Sequence, residues 1–168
     1  VASLTIDDRL TIANMTTEWG ALVGLFPLDE TLREWLLRRA DALASQHTPA
    51  FTRDDVARWW SEREDFASDP DAHFVRTINL DLATVAAHVC GPNSITRGVP
   101  ASAIAREQVR IDKAYLMSCV NGRLPDLEAA AAVFTNGRRV APHVRFYLAA
   151  ASSDVQRAAE QNRTWQRL

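Results

Sequence analysis

The sequence predicts an α/β fold, a helical N-terminal third followed by a β-α-β-α unit with a mainly parallel sheet. Three observations predict it. Apolar residues recur near a 3.6-residue spacing through the first third, strand-like runs alternate with helix-like segments in the last third, and a Gly- and Pro-containing stretch lies between them. Strands alternating with helices through short connections favour a parallel sheet covered by helices, with right-handed crossovers.

In the first segment, TIANMTTEWGALVGLF, Ile12, Met15, Trp19, Leu22, Val23 and Phe26 sit close to helical spacing, and Pro27 stops the pattern. A second helix is expected in LDETLREWLLRRADALA, with Asp29 as N-cap and Leu32, Trp35, Leu36 and Ala40 on one face. TRDDVARWWSERED predicts a third, capped by Thr52 with Asp55 at the capping-box position. HFVRTINLDL, only loosely alternating, is β-branched enough to be expected as a strand, whereas ATVAAHVCGP is ambiguous. GPNSITRGVPASAIAR, with Gly91, Pro92, Gly98 and Pro100, reads as loop or linker. The last third then runs KAYLMSCV as a strand, LPDLEAAAAVFTNG as a helix, HVRFYLAAA as a strand and SSDVQRAAEQNRTWQRL as a helix. Expected domain limits are residues 1–90, a linker over 91–110, and 111–168 as the start of a further α/β domain.

Composition narrows the function classes more than it names one. The 168 residues suffice for a core without staples, and 19 basic against 21 acidic side chains give no excess of the kind that binds nucleic acid. Two cysteines, Cys90 and Cys119, are too few for a secreted disulfide framework and form no CxxC pattern, which favours a reducing compartment. Apolar runs fall short of the roughly 20 residues that cross a bilayer, and no leader pattern opens the sequence, so no membrane or nucleic-acid partner is expected. Because Val1 is first and the closing AEQNRTWQRL carries no helix stop signal, the sequence reads as a piece of a longer polypeptide.

Chemistry is best sought where a strand of a βαβ unit turns into its helix, since ligands of open α/β sheets gather at that end. Cys119, Asn121 and Arg123 occupy such a turn, and the helix expected from Pro125 and Asp126 would direct its positive end towards an anion or a thiolate there. A buried cysteine acting as a small hydrophobe is the competing explanation. Asn14 and Glu18, four residues apart on the first expected helix, could orient a water or hydroxyl, or could simply bond one another. His47, His73, His88 and His143 share no spacing. Hydrolase elbow, phosphate-loop and zincin motifs have no match, and Ser152 and Ser153 read as helix caps.

Two stretches carry a resemblance. NMTTEWGA resembles the N-M-x-x-E-x-G-A segment of the aconitase superfamily, and SCVNGRLPDLEAA resembles that family's S-C-T-N-x-R-x-x-D-L-x-A-A, in the same order and about as far apart. TIANMTTEWGAL, GPNS and VRFYLAAASSDVQRAAEQ are most similar to the branch that acts on homoaconitate. The resemblance implies a three-layer α/β/α fold and an iron-sulfur hydro-lyase interconverting homoaconitate and homoisocitrate in lysine synthesis, located in the mitochondrial matrix. It implies a 4Fe-4S cluster held by three cysteines, whose open iron acts as a Lewis acid on a tricarboxylate substrate. Carried over by position, Cys119 matches the first cluster ligand, while Asn14, Glu18 and Asn121 match residues that line the cluster and its bound water.

The family's other two cluster cysteines lie in a C-G-x-C motif without a counterpart here, and its serine base and substrate arginines belong to later parts of its chain. Val120 also replaces a threonine, removing a hydroxyl beside the ligand, and Met117 stands where many members have glycine. The resemblance therefore implies that these 168 residues alone are inert, with no cluster of their own, and that their partner is the remainder of the same polypeptide. A cluster-free binding module built on the same fold, and a redox or nucleophilic enzyme using Cys119, are the competing function classes.

Overall fold

The computed structural model describes residues 1–45 and 47–168 and divides them into two compact units, Val1–Val85 and Ala86–Leu168. In the first unit, α1 (Ile6–Met15), α2 (Glu30–Leu43) and α3 (Arg53–Ser61) are joined by irregular chain and a 3-10 turn at Thr16–Trp19, and 3-10 turns at Arg63–Phe66 and Leu82–Thr84 follow α3. The second unit holds β1 (His88–Cys90), β2 (Gly98–Pro100), α4 (Ala101–Ile104), β3 (Lys113–Leu116), α5 (Leu124–Val133), β4 (Arg145–Leu148), α6 (Ser153–Gln161) and α7 (Thr164–Arg167).

Local chemistry sets the helix starts of the first unit. Thr5 and Thr52 each accept the backbone N–H three residues on, at 3.1 and 3.3 Å, while Asp8 and Asp55 reach back to the cap amides at 2.9 Å. The α2 cap, Asp29, has a second partner. Its carboxylate accepts from the Leu32 amide at 3.1 Å and, as a fork, from both Arg9 terminal nitrogens at 2.7 and 2.8 Å. Arg9 is buried on α1, lies over the Phe26 ring and also donates to the Val1 carbonyl, so one guanidinium ties three segments together. Ala40, Leu43 and Val56 close the contact between α2 and α3, and Trp60 is flanked by the guanidinium groups of Arg33 and Arg63 at 4.9 and 4.8 Å from its ring centre.

The first helix is shorter at its C-terminal end than its apolar spacing suggests. Instead of running to Phe26 it stops at Met15, because the hydroxyls of Thr16 and Thr17 donate back to the carbonyls of Ala13 and Asn14 at 2.7 and 3.0 Å, and Gly20 turns left-handed at φ 86°. The following chain folds back on α1 so closely that a Cβ on Gly24 would stand 2.8 Å from Thr16 Cγ2 and 3.0 Å from Ala13 Cα.

HFVRTINLDL, expected as a strand, makes no strand, since β-propensity needs a neighbouring strand and none of the described residues supplies one. The stretch 91–110, expected as loop or linker, carries ordered elements. Its β2 pairs antiparallel with β1, Val89 opposite Val99, and Pro100 leads into α4. Gly91 and Gly98 serve the hairpin itself, with the Gly91 N–H donating to the Arg97 carbonyl at 3.1 Å.

The β-α-β-α reading of the last third holds. β3 and β4 run parallel, Tyr115 opposite Tyr147 and Leu116 opposite Leu148, with α5 as the crossover. Ala114, Leu116, Phe146 and Leu148 lie half-buried on one face, where Phe146 meets Phe134 just past α5, while the other face presents Tyr115 stacked on Tyr147 at 4.8 Å. The unit is thus mixed α/β, a parallel pair of strands with a helical crossover. Leu127, Ala131, Ala159 and Thr164 are the buried contacts of α5 with α6 and α7, small enough for the helices to approach closely. The final helix is two, because Arg163 adopts φ 64° and the Asn162 carbonyl oxygen of its side chain caps the Thr164 amide at 3.0 Å.

Two measurements test this account of the first unit. Gly24→Ala is expected to destabilise it by about 1–3 kcal/mol in urea unfolding, since the buried Thr16 side chain and the α1 backbone at Ala13 must both give way. Arg9, by hydrogen bonding above all, holds the Asp29 carboxyl below its ordinary range, and Arg9 itself stays charged throughout. A carboxylate of lower pKa when folded stabilises fully above the unfolded value of about 4 and loses that contribution as pH falls through its folded value. Asp29→Asn should therefore cost about 2 kcal/mol near neutrality. The gap from the parent chain should narrow below about pH 4, and a gap independent of pH would contradict the pairing.

Candidate functional site

The turn between β3 and α5, residues 117–123, is built around two small features. Ser118 Oγ accepts from the backbone amides of Val120 and Asn121 at 3.2 and 3.1 Å, folding the chain sharply just after the strand. Buried Gly122 then adopts φ 76°, with its carbonyl accepting from the Ala151 amide at 2.9 Å. A Cβ there would lie 3.5 to 3.8 Å from the Ala149 carbonyl, the Ala151 amide and the Ser118 amide, so the obstacle to a side chain is the left-handed backbone. The ends of β3 and β4 are thereby bonded to one another beyond the sheet.

Cys119 stands on the outer side of this turn as an exposed free thiol, contrary to the buried small-hydrophobe alternative. Asn121, two residues on, is half-buried, and its amide belongs to the Ser118 turn. The α5 N-terminus follows as expected, but part of its donor capacity is already used, since Asp126 accepts from the Arg123 amide at 3.0 Å. At the neighbouring turn, Ser152 Oγ accepts from the Val155 amide at 3.2 Å, which makes it a helix cap.

Asn14 and Glu18 belong to the first unit and have a different geometry from the shared helical face expected of them. Asn14 is in the last turn of α1, Glu18 in the 3-10 turn after it, and both side chains are exposed without a hydrogen bond to another described residue. The bend made by Thr16, Thr17 and Gly24 decides where they point. The structure thus presents Asn14 with Glu18 in one unit and Cys119 with Asn121 in the other.

A four-iron cluster needs three or four thiolates. Cys119 has the exposure and loop setting of one such ligand, but Cys90 lies on β1, and no three His, Cys, Asp or Glu side chains come together among the described residues. The residues of this chain fit one corner of a cluster and not the whole group. No described helix is long and apolar enough to cross a membrane.

Sequence reading missed Ser118 and Gly122, which shape the turn, and the alanine segment after β4 that anchors it. The Asn121–Gly122 pair was the available signal, a dipeptide that marks turns. Gly122→Ala is expected to cost about 1–2 kcal/mol, through backbone strain alone. Ser118→Ala should cost about 1 kcal/mol and speed amide exchange at Val120 and Asn121, while leaving exchange in α6 unchanged.

Comparison with known proteins agrees with these motifs. The model of the aconitase family (aconitate hydratase) matches residues 1–109 and 101–168. The mitochondrial homoaconitase of Eremothecium gossypii is 46% identical over 168 residues, covering 98% of this chain and 24% of its own length. That of Candida parapsilosis is 47% identical over 166 residues, covering 99% and 24%, and that of Aspergillus fumigatus 46% over 180 residues, covering 99% and 22%. The chain thus spans about a quarter of the relatives it resembles. With a family model matched along its whole length, through both the α1 corner and the Cys119 turn, the chain belongs to the aconitase family.

Proposed function

We propose that these residues are part of an iron-sulfur hydro-lyase that interconverts homoaconitate and homoisocitrate in lysine synthesis, working in the mitochondrial matrix. The observation that carries the reading is Cys119, an exposed thiol on a turn held by Ser118 and Gly122, in the family's cluster-ligand motif. Identity of 41 to 47% to mitochondrial homoaconitases across the chain supports the substrate and the compartment.

On this reading Cys119 supplies one thiolate to a 4Fe-4S cluster, and the remaining ligands come from the rest of the polypeptide. The free side chains of Asn14 and Glu18 have the chemistry to hold a water or substrate hydroxyl, the amide by donating and accepting and the carboxylate by accepting or taking a proton. Asn121, fixed by the turn, can orient a carboxylate of a tricarboxylate substrate. Alone, the chain is expected to be inert and free of cluster.

The test replaces the matched segment of the Eremothecium gossypii homoaconitase with this chain and follows bound iron, the visible absorption of the cluster and hydration of homoaconitate. Cys119→Ser should remove cluster absorption and lower turnover by at least about 100-fold, whereas Cys90→Ser should leave both intact. Glu18→Gln should keep the cluster and lower kcat by about 100-fold or more, the usual worth of a positioned acid or base. Full iron content with Cys119→Ser would refute the ligand assignment. A chimera without iron even with Cys119 in place would favour the cluster-free binding module.

A further inference from the structure

Residues 73–80, HFVRTINL, have the composition of a strand and none of its bonds. Their backbone makes no hydrogen bond to another described residue, and the apolar side chains stand in solvent, with Val75 95%, Ile78 77%, Leu80 66% and Phe74 64% exposed. Unpaired backbone donors and acceptors beside β-branched and aromatic side chains are what a sheet edge pairs with. If the segment is extended, Phe74, Arg76, Ile78 and Leu80 fall on one face, and Val75, Thr77 and Asn79 on the other. Such a strand fits a sheet with a core on one side.

We propose that residues 73–80 form a strand added to the edge of a sheet contributed by the rest of the family polypeptide, outside these 168 residues. Two observations choose this occupant. The relatives are far longer than the matched segment, which covers only 24% of their length. The apolar face also carries Arg76, while residues 73–80 contain no carboxylate, so a second copy pairing through the same segment offers Arg76 no counter-charge. The partner strand or the layer beneath it supplies an acidic side chain there. The inference goes beyond the proposed activity and needs from it only the family membership.

Amide hydrogen exchange tests it without any need for cluster or turnover. In the isolated chain, residues 74–80 should exchange within about tenfold of an unstructured peptide, and in the Eremothecium gossypii chimera they should be protected at least about 100-fold more. Thr77→Pro removes an N–H and Ile78→Asp charges the apolar face. Either should abolish that extra protection in the chimera while leaving thermal unfolding of the isolated chain unchanged. Should the chimera not fold, mixing the isolated chain with the separately expressed remainder of the relative gives the same measurement in trans. Equal exchange with and without the remainder overturns the proposal. Protection already present in the isolated chain does so too, assigning the strand to a second copy if it grows with concentration and to this chain if it does not.

Discussion

Two neighbouring strands that run the same way cannot be joined by a tight turn, and this constraint shapes the second unit. Pairing β3 with β4 requires a crossover long enough to return to the starting edge, and α5 provides it. The requirement puts both strand exits at the same end. The Ala151 amide can then bond the Gly122 carbonyl, and the turn that carries Cys119 is fastened to its neighbour instead of hanging as a free loop. Helix packing supports the arrangement, because the fully buried Ala131 and Ala159 are small enough for α5 and its neighbours to approach closely.

The first unit relies on charge where the second relies on strand pairing. Arg9 is buried, and its two terminal nitrogens meet Asp29 as a fork, so the pair combines ion pairing with directional hydrogen bonds. Asp29 is also the α2 cap, and Arg9 projects from α1, so the two helices are oriented by one carboxylate. The 3-10 turn and the close approach at Gly24 then set the corner that exposes Asn14 and Glu18. The candidate side chains in both units sit at or just past the end of a regular element, on backbone that nearby hydroxyls hold in place.

Sequence reading succeeded where the signal was local. Asp29 and the Thr52–Asp55 box mark helix starts within four residues, and the alternation of strand and helix from Lys113 onwards needs only short-range pattern. The same Thr-x-x-Asp pattern at Thr5 and Asp8 went unread because the apolar spacing that draws attention begins later. Failures came where tertiary contacts compete with propensity. Apolar positions through Phe26 suit a helix, yet the threonine hydroxyls and the fold-back at Gly24 end it at Met15. Residues 73–80 suit a strand, yet a strand requires a partner that local sequence does not reveal. Of the candidate site, the position of Cys119 at a strand-to-helix turn was legible, whereas the Ser118 bonds depend on one rotamer and left only the Asn-Gly pair as a trace.

The turn at Ser118 has a chemical corollary. A hydroxyl oxygen has two lone pairs, and here both accept backbone amides, from Val120 and from Asn121. Ser118 therefore has no basicity left to offer a substrate or a water. What remains is its proton, carried one residue from an exposed sulfur, so the side chain that shapes the turn can act outward only as a donor.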